Sequence, residues 1–171
     1  DLVNDVSGFR FDPALAGLVA ERGVPAVLMH LRGDFETMHR PPAYDDVMGE
    51  ILAELGTRLR EAQRAGVAAE QLVVDPGIGF AKDARHSLEV LRDLGRLAEL
   101  ERPLLVGPSR KSFIGKVLGR PSAERMLGTA AAVAACVLAG AHIVRVHDVK
   151  EMCEVARLSD AIAGSGPAVP P

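Results

Sequence analysis

Short apolar runs alternate with helical segments along the chain, and this alternation restricts the possible folds more than any other feature of the sequence. Five runs predict strands, over residues 2–6, 24–30, 72–75, 104–107 and 143–146. Mainly aliphatic strands that alternate with helices are typical of a parallel α/β sheet. Two architectures satisfy the pattern, namely an open doubly wound sheet and a (β/α)₈ barrel.

Helix signals fill the segments between the runs. Predicted helices cover residues 13–23, 46–65, 87–100 and 123–139, and a last one follows residue 148. Asp12 and Pro13 are typical of an N-cap and a first helical residue. Ser122 stands where it would cap the fourth helix, and Asp148 with Glu151 forms a capping-box pattern at the last one.

Composition narrows the functional classes. The chain has 171 residues, of which 48% are hydrophobic, and this is enough for one domain with a real core. A net charge of -3 gives no general case for a nucleic-acid partner. No apolar run approaches the ~20 residues of a membrane span, so we expect no membrane partner. Cys136 and Cys153 show no zinc-binding pattern and are predicted to be reduced core thiols of a cytoplasmic protein.

The domain prediction is one barrel domain over residues 1–163 and a flexible tail over 164–171, which is rich in Gly and Pro. The chain enters a predicted strand directly after Asp1, so we expect that N-terminal sequence of the natural protein is missing. Five strand–helix units are too few for a closed barrel of eight, and three further units upstream would complete it.

Polar side chains gather where the predicted strands end, which is where both architectures place their chemistry. The residues at these ends are Asn4, Asp5, Met29, His30, Arg32, Asp75, Ser109, Arg110, Lys111, Ser112, Arg145, His147 and Asp148, all of them polar except Met29. Three of them, and Lys82 in the loop after the third strand, also have plain structural interpretations. Asp5 is a candidate turn cap, His30 a satisfied core histidine, Lys82 a solvated loop charge and Asp148 a helix N-cap.

Arg145 is harder to explain structurally, because its neighbours are aliphatic and an unpaired buried cation is very costly. An anionic ligand is a sufficient partner for it. His147, two residues later, points to the same side of the strand, so the two residues predict an anion site.

The stretch VVDPGIGFAK, residues 73–82, matches neither a Walker A loop nor the GxGxxG pattern. Its glycines indicate a tight turn or a close approach of the backbone to a flat ligand. Asp75 then faces hydrogen-bond donors, such as the N–H edge of an amino-pyrimidinone. A second stretch, GPSRKSFIG, is either a turn followed by a basic surface helix or a Ser-Arg-Lys cluster aimed at a ligand.

Five blocks, in this order, resemble the dihydropteroate synthase family: VNDVSG (3–8), LMHLRG (28–33), DPGIGFAK (75–82), VGPSRKSFIG (106–115) and RVHDV (145–149). The resemblance implies a (β/α)₈ TIM barrel, of which this chain supplies about the last five βα units. It also implies a homodimer and an enzyme that sulfonamides target. The implied reaction condenses 6-hydroxymethyl-7,8-dihydropterin pyrophosphate with para-aminobenzoate and gives 7,8-dihydropteroate and pyrophosphate.

By motif position, the resemblance implies a set of binding residues. The pterin contacts are Asn4, Met29, Asp75, Lys111 and Arg145, the pyrophosphate contacts are Arg145 and His147, and the para-aminobenzoate contacts are Phe80 and Ser112. Lys111, Arg145 and His147 are the implied catalytic residues. Mg²⁺ is the implied cofactor, and its protein ligand belongs to loops that are absent here, so no metal ligand is expected in this chain.

Without those loops the 171 residues alone are expected to be inactive. Two alternatives stay open: a pterin-dependent methyltransferase, which would share Asn4 and Asp75, and a non-catalytic pterin-binding domain. The Ser-Arg-Lys block and the Arg145/His147 pair favour the synthase.

Overall fold

The predicted alternation of strands and helices is present in the computed structural model, which describes residues 1–34, 36–38 and 43–166. The strands are Val3–Asp5 (β1), Ala26–Met29 (β2), Leu72–Asp75 (β3), Leu105–Val106 (β4) and Ile143–Val144 (β5). The α-helices are Pro13–Arg22 (α1), Val47–Arg64 (α2), Ala84–Arg92 (α3), Ser112–Leu118 (α4), Met126–Leu138 (α5) and Val149–Ile162 (α6). Short 3₁₀ helices cover Ala69–Gln71, Leu94–Leu100 and Ser122–Glu124. The last five residues of the predicted tail lie outside the described residues.

The strands are parallel, and strands that follow one another in sequence are neighbours in space. β2 pairs with β1 on one side and with β3 on the other, and β4 pairs with β5. A parallel bridge between Val74 and Leu104 joins the two groups. This order has no reversal, whereas a doubly wound sheet reverses its strand order at a switch point.

Helix α2 covers the sheet with the amphipathic face that its sequence predicts. Asp46 caps it by accepting a hydrogen bond from the Gly49 N–H at 3.0 Å. Its inward side chains include Ile51 and Leu55, which are fully buried in the main core together with Val74. Each such side chain stabilises the fold by roughly 1.5–3 kcal/mol relative to leaving it exposed.

Helix α1 begins as predicted. The Asp12 carboxylate accepts a hydrogen bond from the Ala14 N–H at 2.9 Å, and Pro13 is the first helical residue. Gly23 ends the helix in the left-handed region, with φ of 62°, a conformation that costs glycine little.

Two predicted helices differ from the structure. The third begins earlier, at Ala84, because the Asp83 carboxylate caps it by accepting from the His86 N–H at 2.8 Å. It also ends earlier, and its predicted second half is a 3₁₀ helix over Leu94–Leu100. The helix predicted over 123–139 begins at Met126, and Ser122 belongs to a separate 3₁₀ turn with no capping side-chain bond.

The last helix begins directly after Asp148, as predicted, but the predicted side-chain cap is absent, because the Asp148 carboxylate makes no hydrogen bond to the helix start. The prediction of two core thiols holds for Cys136, which is buried, and fails for Cys153, which is exposed on α6. Among the described residues, no helix combines the length and the apolar character that crossing a bilayer requires.

Candidate active site

Three residues, one in β1, one at the end of β3 and one directly after β5, meet at the carboxyl ends of the strands. The Arg145 guanidinium donates from Nη2 to Oδ2 of Asp75 at 3.1 Å and from Nη1 to Oδ1 of Asn4 at 2.8 Å. The Asp75 side chain is 1% exposed and that of Arg145 is 40% exposed. Asn4 itself is exposed, so the group combines a buried carboxylate with an amide and a cation that solvent reaches.

Gly107, which follows β4, gives Arg145 room for this contact. A Cβ atom at position 107 would lie 2.8 Å from Arg145 Nη2, closer than real Cβ atoms approach other heavy atoms. Any larger residue at this position would therefore displace the guanidinium from Asp75.

The turn after β3 fixes the orientation of the Asp75 carboxylate. Its Oδ1 accepts a hydrogen bond from the Gly77 N–H at 2.8 Å. Gly77 has φ of 68°, and a Cβ there would lie 2.1 Å from the carbonyl oxygen of His30, so only glycine fits. Burial raises the pKa of Asp75, and the Arg145 charge and the Gly77 N–H act against that rise. The predicted tight turn is therefore present.

Lys111 and Phe80, which belong to two different motifs, are in contact. The Lys111 ammonium lies 4.0 Å from the centre of the Phe80 ring, within the range of a cation–π contact. Burial lowers the pKa of Lys111, although the carboxylate of Asp75 opposes this. Ser112 is exposed at the start of α4.

His147 is held by Ser109 through two hydrogen bonds. The His147 backbone N–H donates to Ser109 Oγ at 3.2 Å, and the same Oγ lies 2.8 Å from His147 Nδ1. A hydroxyl can both donate and accept, so the direction of the contact with Nδ1 follows the tautomer of the imidazole.

Arg110 and Asp148 form an ion pair that the sequence did not predict. Arg110 Nε and Nη2 donate to the two carboxylate oxygens of Asp148 at 3.1 and 2.6 Å. This pair lowers the pKa of Asp148. It connects the segment before α4 to the start of α6 and explains why Asp148 is not available as a cap.

His30 is a satisfied core histidine, as one prediction had it, whereas Lys82 is not the solvated loop charge that was predicted. Lys82 is 6% exposed, and its ammonium lies 2.8 Å from His30 Nδ1. His30 Nε2 lies 3.1 Å from a carboxylate oxygen of Glu54. Arg32 donates to the other oxygen of Glu54.

The pKa values of His30, Lys82 and Glu54 are shifted by burial and by their partners. Burial and, to a smaller extent, the Lys82 charge lower the pKa of His30 to about 4, so the imidazole is neutral near pH 7. Burial also lowers the pKa of Lys82 to about 7, against the attraction of Asp75 and Glu54. Burial alone would raise the pKa of Glu54, but hydrogen bonds from His30 and Arg32 outweigh it and lower the pKa to about 2.

Met29, a predicted pterin contact, is buried at the end of β2. Its Cγ would lie 3.3 Å from a Cβ at Gly77, so Met29 packs against the turn that holds Asp75. The sequence argument gave Arg145 an anionic ligand as its partner, whereas the structure gives it protein partners, Asp75 and Asn4. The sequence signal for that pairing was an arginine and an aspartate with aliphatic neighbours in sequence, each at the carboxyl end of a parallel strand.

No group of three or more His, Cys, Asp or Glu side chains that could hold a metal ion occurs in the described part of the chain. These residues therefore do not by themselves fit a resident magnesium ion, and no chemical step is assigned to one.

Comparison with known proteins gives a consistent result. A family model described as Pterin binding enzyme matches residues 1–147. The dihydropteroate synthase of Synechocystis sp. is 45% identical over 163 residues, which are 95% of this chain and 56% of the relative. The dihydropteroate synthase of Escherichia coli K12 is 39% identical over 160 residues, or 94% of this chain and 56% of the relative. The chain thus spans little more than half the length of these relatives.

Solved structures of dihydropteroate synthases are also similar to this chain. The Yersinia pestis dihydropteroate synthase in a sulfonamide drug complex superposes with a TM-score of 0.91 at 37% identity, over 95% of this chain and 59% of that one. The Stenotrophomonas maltophilia enzyme with active site-bound imidazole gives 0.91 at 38% identity, over 99% of this chain and 63% of that one. With a family model that matches most of its length, the chain belongs to the pterin binding enzyme family.

Proposed function

We propose that the protein is a dihydropteroate synthase, which condenses 6-hydroxymethyl-7,8-dihydropterin pyrophosphate with para-aminobenzoate. The observation that carries the proposal is the meeting of Asp75, Asn4 and Arg145 at the strand ends. A buried carboxylate and an amide beside a half-exposed cation suit a substrate with a donor-rich ring edge and an anionic group.

The pterin ring is assigned to Asp75 and Asn4. The Asp75 carboxylate accepts from the N–H edge of the amino-pyrimidinone, and the Asn4 amide offers both a donor and an acceptor. Met29 packs against the ring, and the Lys111 side chain borders it. Negative charge at Asp75 favours a pterin that becomes cationic when its leaving group departs, which is a form of electrostatic stabilisation.

The pyrophosphate is assigned to Arg145 and His147. The guanidinium neutralises the departing anion, and the His147 imidazole, which Ser109 holds in place, supplies a second N–H donor when Nε2 carries the proton. Departure of pyrophosphate leaves a methylene cation that is delocalised into the ring, and the arylamine attacks it. No protein nucleophile is required.

The para-aminobenzoate is assigned to Phe80 and Ser112. The Phe80 ring supports the flat substrate, and the proposal is supported by the Lys111 ammonium, which lies 4.0 Å from the centre of that ring. Lys111, with its lowered pKa, joins the two binding regions.

The wider assembly is also part of the proposal. The sequential parallel strands support a (β/α)₈ barrel of which this chain forms about five units, and Mg²⁺ is expected to accompany the pyrophosphate. We further propose a cytoplasmic homodimer. Its support is an apolar groove between α3, α4 and α5 whose lining includes the exposed side chains of Leu88, Val117, Leu118 and Leu127.

Calorimetry on the full-length gene product tests the ring and anion assignments separately. Asp75→Ala is expected to abolish binding of the pterin. Arg145→Ala is expected to weaken binding of pterin pyrophosphate about 10–100-fold more than binding of the free hydroxymethyl pterin, since it removes a charge-assisted contact to phosphate. Arg157→Ala, at an exposed position on α6, is the control.

Equal losses for both ligands in the Arg145 variant would argue against the anion assignment. Binding of methyl-tetrahydrofolate with no response to para-aminobenzoate would contradict the synthase and favour the methyltransferase.

A further inference from the structure

The motif that carries Asp75 and Phe80 ends in Lys82, which has no part in the proposed chemistry. Its side chain is buried although it carries an amine. A buried ammonium needs a structural or functional reason, because desolvation of the charged form is costly.

In its protonated form, Lys82 has three protons, and these match three acceptors. Nζ lies 2.8 Å from His30 Nδ1, 3.1 Å from the carbonyl oxygen of Phe80 and 3.3 Å from that of Gly77. Two of these acceptors belong to the turn between Asp75 and Phe80. The Lys82 side chain therefore binds the turn at two points, the carbonyl oxygens five and two residues before it in sequence.

The third contact anchors Lys82 to the helical layer. His30 accepts at Nδ1, so its proton is on Nε2, which faces the Glu54 carboxylate at 3.1 Å. Glu54 is on α2 and is also held by Arg32. The turn is thus connected through Lys82 and a neutral imidazole to a carboxylate on the main helix.

We propose that Lys82 is a positioning residue that holds the 76–81 turn and, through it, the Phe80 side of the binding site. The consequences for substrate binding rest on the proposed function, whereas the consequence for the turn does not. Nothing in the proposal requires Lys82 to touch a substrate.

The two ends of the turn depend on Lys82 unequally. The Asp75 end has other supports, since the His30 N–H donates to the Asp75 carbonyl oxygen at 2.8 Å and Arg145 holds the carboxylate. Towards Phe80, the Phe80 N–H donates to the Gly77 oxygen at 3.0 Å, and the Ala81 oxygen accepts from the Tyr44 hydroxyl at 3.0 Å. Lys82 itself bonds directly to the Phe80 oxygen at this end. Loss of Lys82 is therefore expected to affect the arylamine region more than the pterin region.

Hydrogen exchange on the full-length gene product tests the positioning role directly. Lys82→Met retains the volume and removes the donors. We expect faster exchange of the Gly77, Phe80 and Ala81 amides and unchanged exchange in β3. Lys116→Met, at an exposed position on α4, should change neither. Unchanged protection of the three turn amides in Lys82→Met would overturn the proposal.

A second variant keeps the test usable if Lys82→Met does not fold. Lys82→Arg retains the charge, but a planar guanidinium cannot direct its protons to the same three acceptors as a tetrahedral ammonium. We expect intermediate exchange of the turn amides, and wild-type exchange would count against the role of Lys82.

Steady-state kinetics then separate positioning from general damage. Lys82→Met should raise KM for para-aminobenzoate about tenfold or more, the effect of losing one or two charge-assisted hydrogen bonds, and change pterin binding less than about threefold. Equal effects on both substrates would overturn the positioning of the Phe80 side. A wild-type protein with no condensation activity would instead refute the synthase assignment, and the hydrogen-exchange comparison would still decide the role of Lys82.

Discussion

Arg145 and Asp75, 70 positions apart in sequence, form an ion pair in which the carboxylate is 1% exposed and the cation 40% exposed. Water does not reach the Asp75 carboxylate, so solvation cannot stabilise its charge. Its charge depends on Arg145, on the Gly77 N–H and on nearby lysines. The same guanidinium is assigned to the substrate anion, so folding and binding share one side chain.

Arg145→Met is expected to destabilise the protein at pH 8 by roughly 2 kcal/mol. A fully buried pair loses about 3–5 kcal/mol when one partner is removed, and the exposure of Arg145 reduces this. The loss should shrink as pH falls. Asp75 has a raised folded-state pKa, so the folded state binds a proton that the unfolded state does not, and stability falls as pH rises through that window.

Urea unfolding at pH 5 and pH 8 measures this dependence. The double variant Asp75→Asn/Arg145→Met removes the carboxylate and is the matched control, which should show little of the pH dependence. A loss that is the same at both pH values in the single variant would refute the account of the pair.

Gly77→Ala is expected to destabilise the protein strongly, by about 3 kcal/mol or more, because the new Cβ meets the His30 carbonyl oxygen in a left-handed turn. Gly17→Ala is the matched control. Gly17 is in α1 with open space around its missing Cβ, so alanine should stabilise the helix by about 0.5–1 kcal/mol. Thermal and urea unfolding of the two variants measure the difference. A Gly77→Ala variant that is as stable as the wild-type protein would contradict the turn geometry.

His30 should make the protein less stable as pH falls from 6.5 to about 4. Its pKa is lowered in the folded state to about 4, so in this window the unfolded state binds a proton that the folded state does not. Above pH 6.5 the histidine contributes no slope. Glu54 loses its contribution mainly below this window, as pH falls from 4.5 to about 2.

His30→Gln supplies an acceptor and a donor without a titrating group and should flatten stability between pH 6.5 and 4. The measurement is the free energy of unfolding across that range. A slope that persists in the variant would show that another group causes it.

Local signals in the sequence were sufficient for the presence of the strands and for the starts of α1, α2 and α6. The run 72–75 was predicted with its observed boundaries, and Asp12 with Pro13 began α1 as expected. Predictions failed where a residue distant in sequence binds the side chain that the local pattern assigned to another role. Asp148 has the pattern of a helix cap, yet Arg110, 38 positions away, takes its carboxylate.

The candidate site, too, was predictable from the sequence only in part. The strand-end rule placed Asn4, Asp75 and Arg145 near one another, but it did not reveal that they bond to each other. Lys82 was misjudged because a lysine in a glycine-rich loop is usually solvated, and its main partner, His30, is 52 positions away. Pairings of that kind depend on the three-dimensional arrangement and leave no local pattern.

The proposed homodimer predicts a specific effect at Leu127, whose side chain on α5 is 80% exposed beside the apolar groove. Leu127→Glu places a charge where two apolar surfaces would meet, and desolvation of that charge opposes association. The variant should sediment as a monomer at concentrations where the wild-type protein is a dimer. Leu18→Glu, on α1 and also exposed, is the control that should remain dimeric. If Leu127→Glu stays a dimer, the interface is on another face; if the wild-type protein is itself a monomer, the homodimer proposal is wrong.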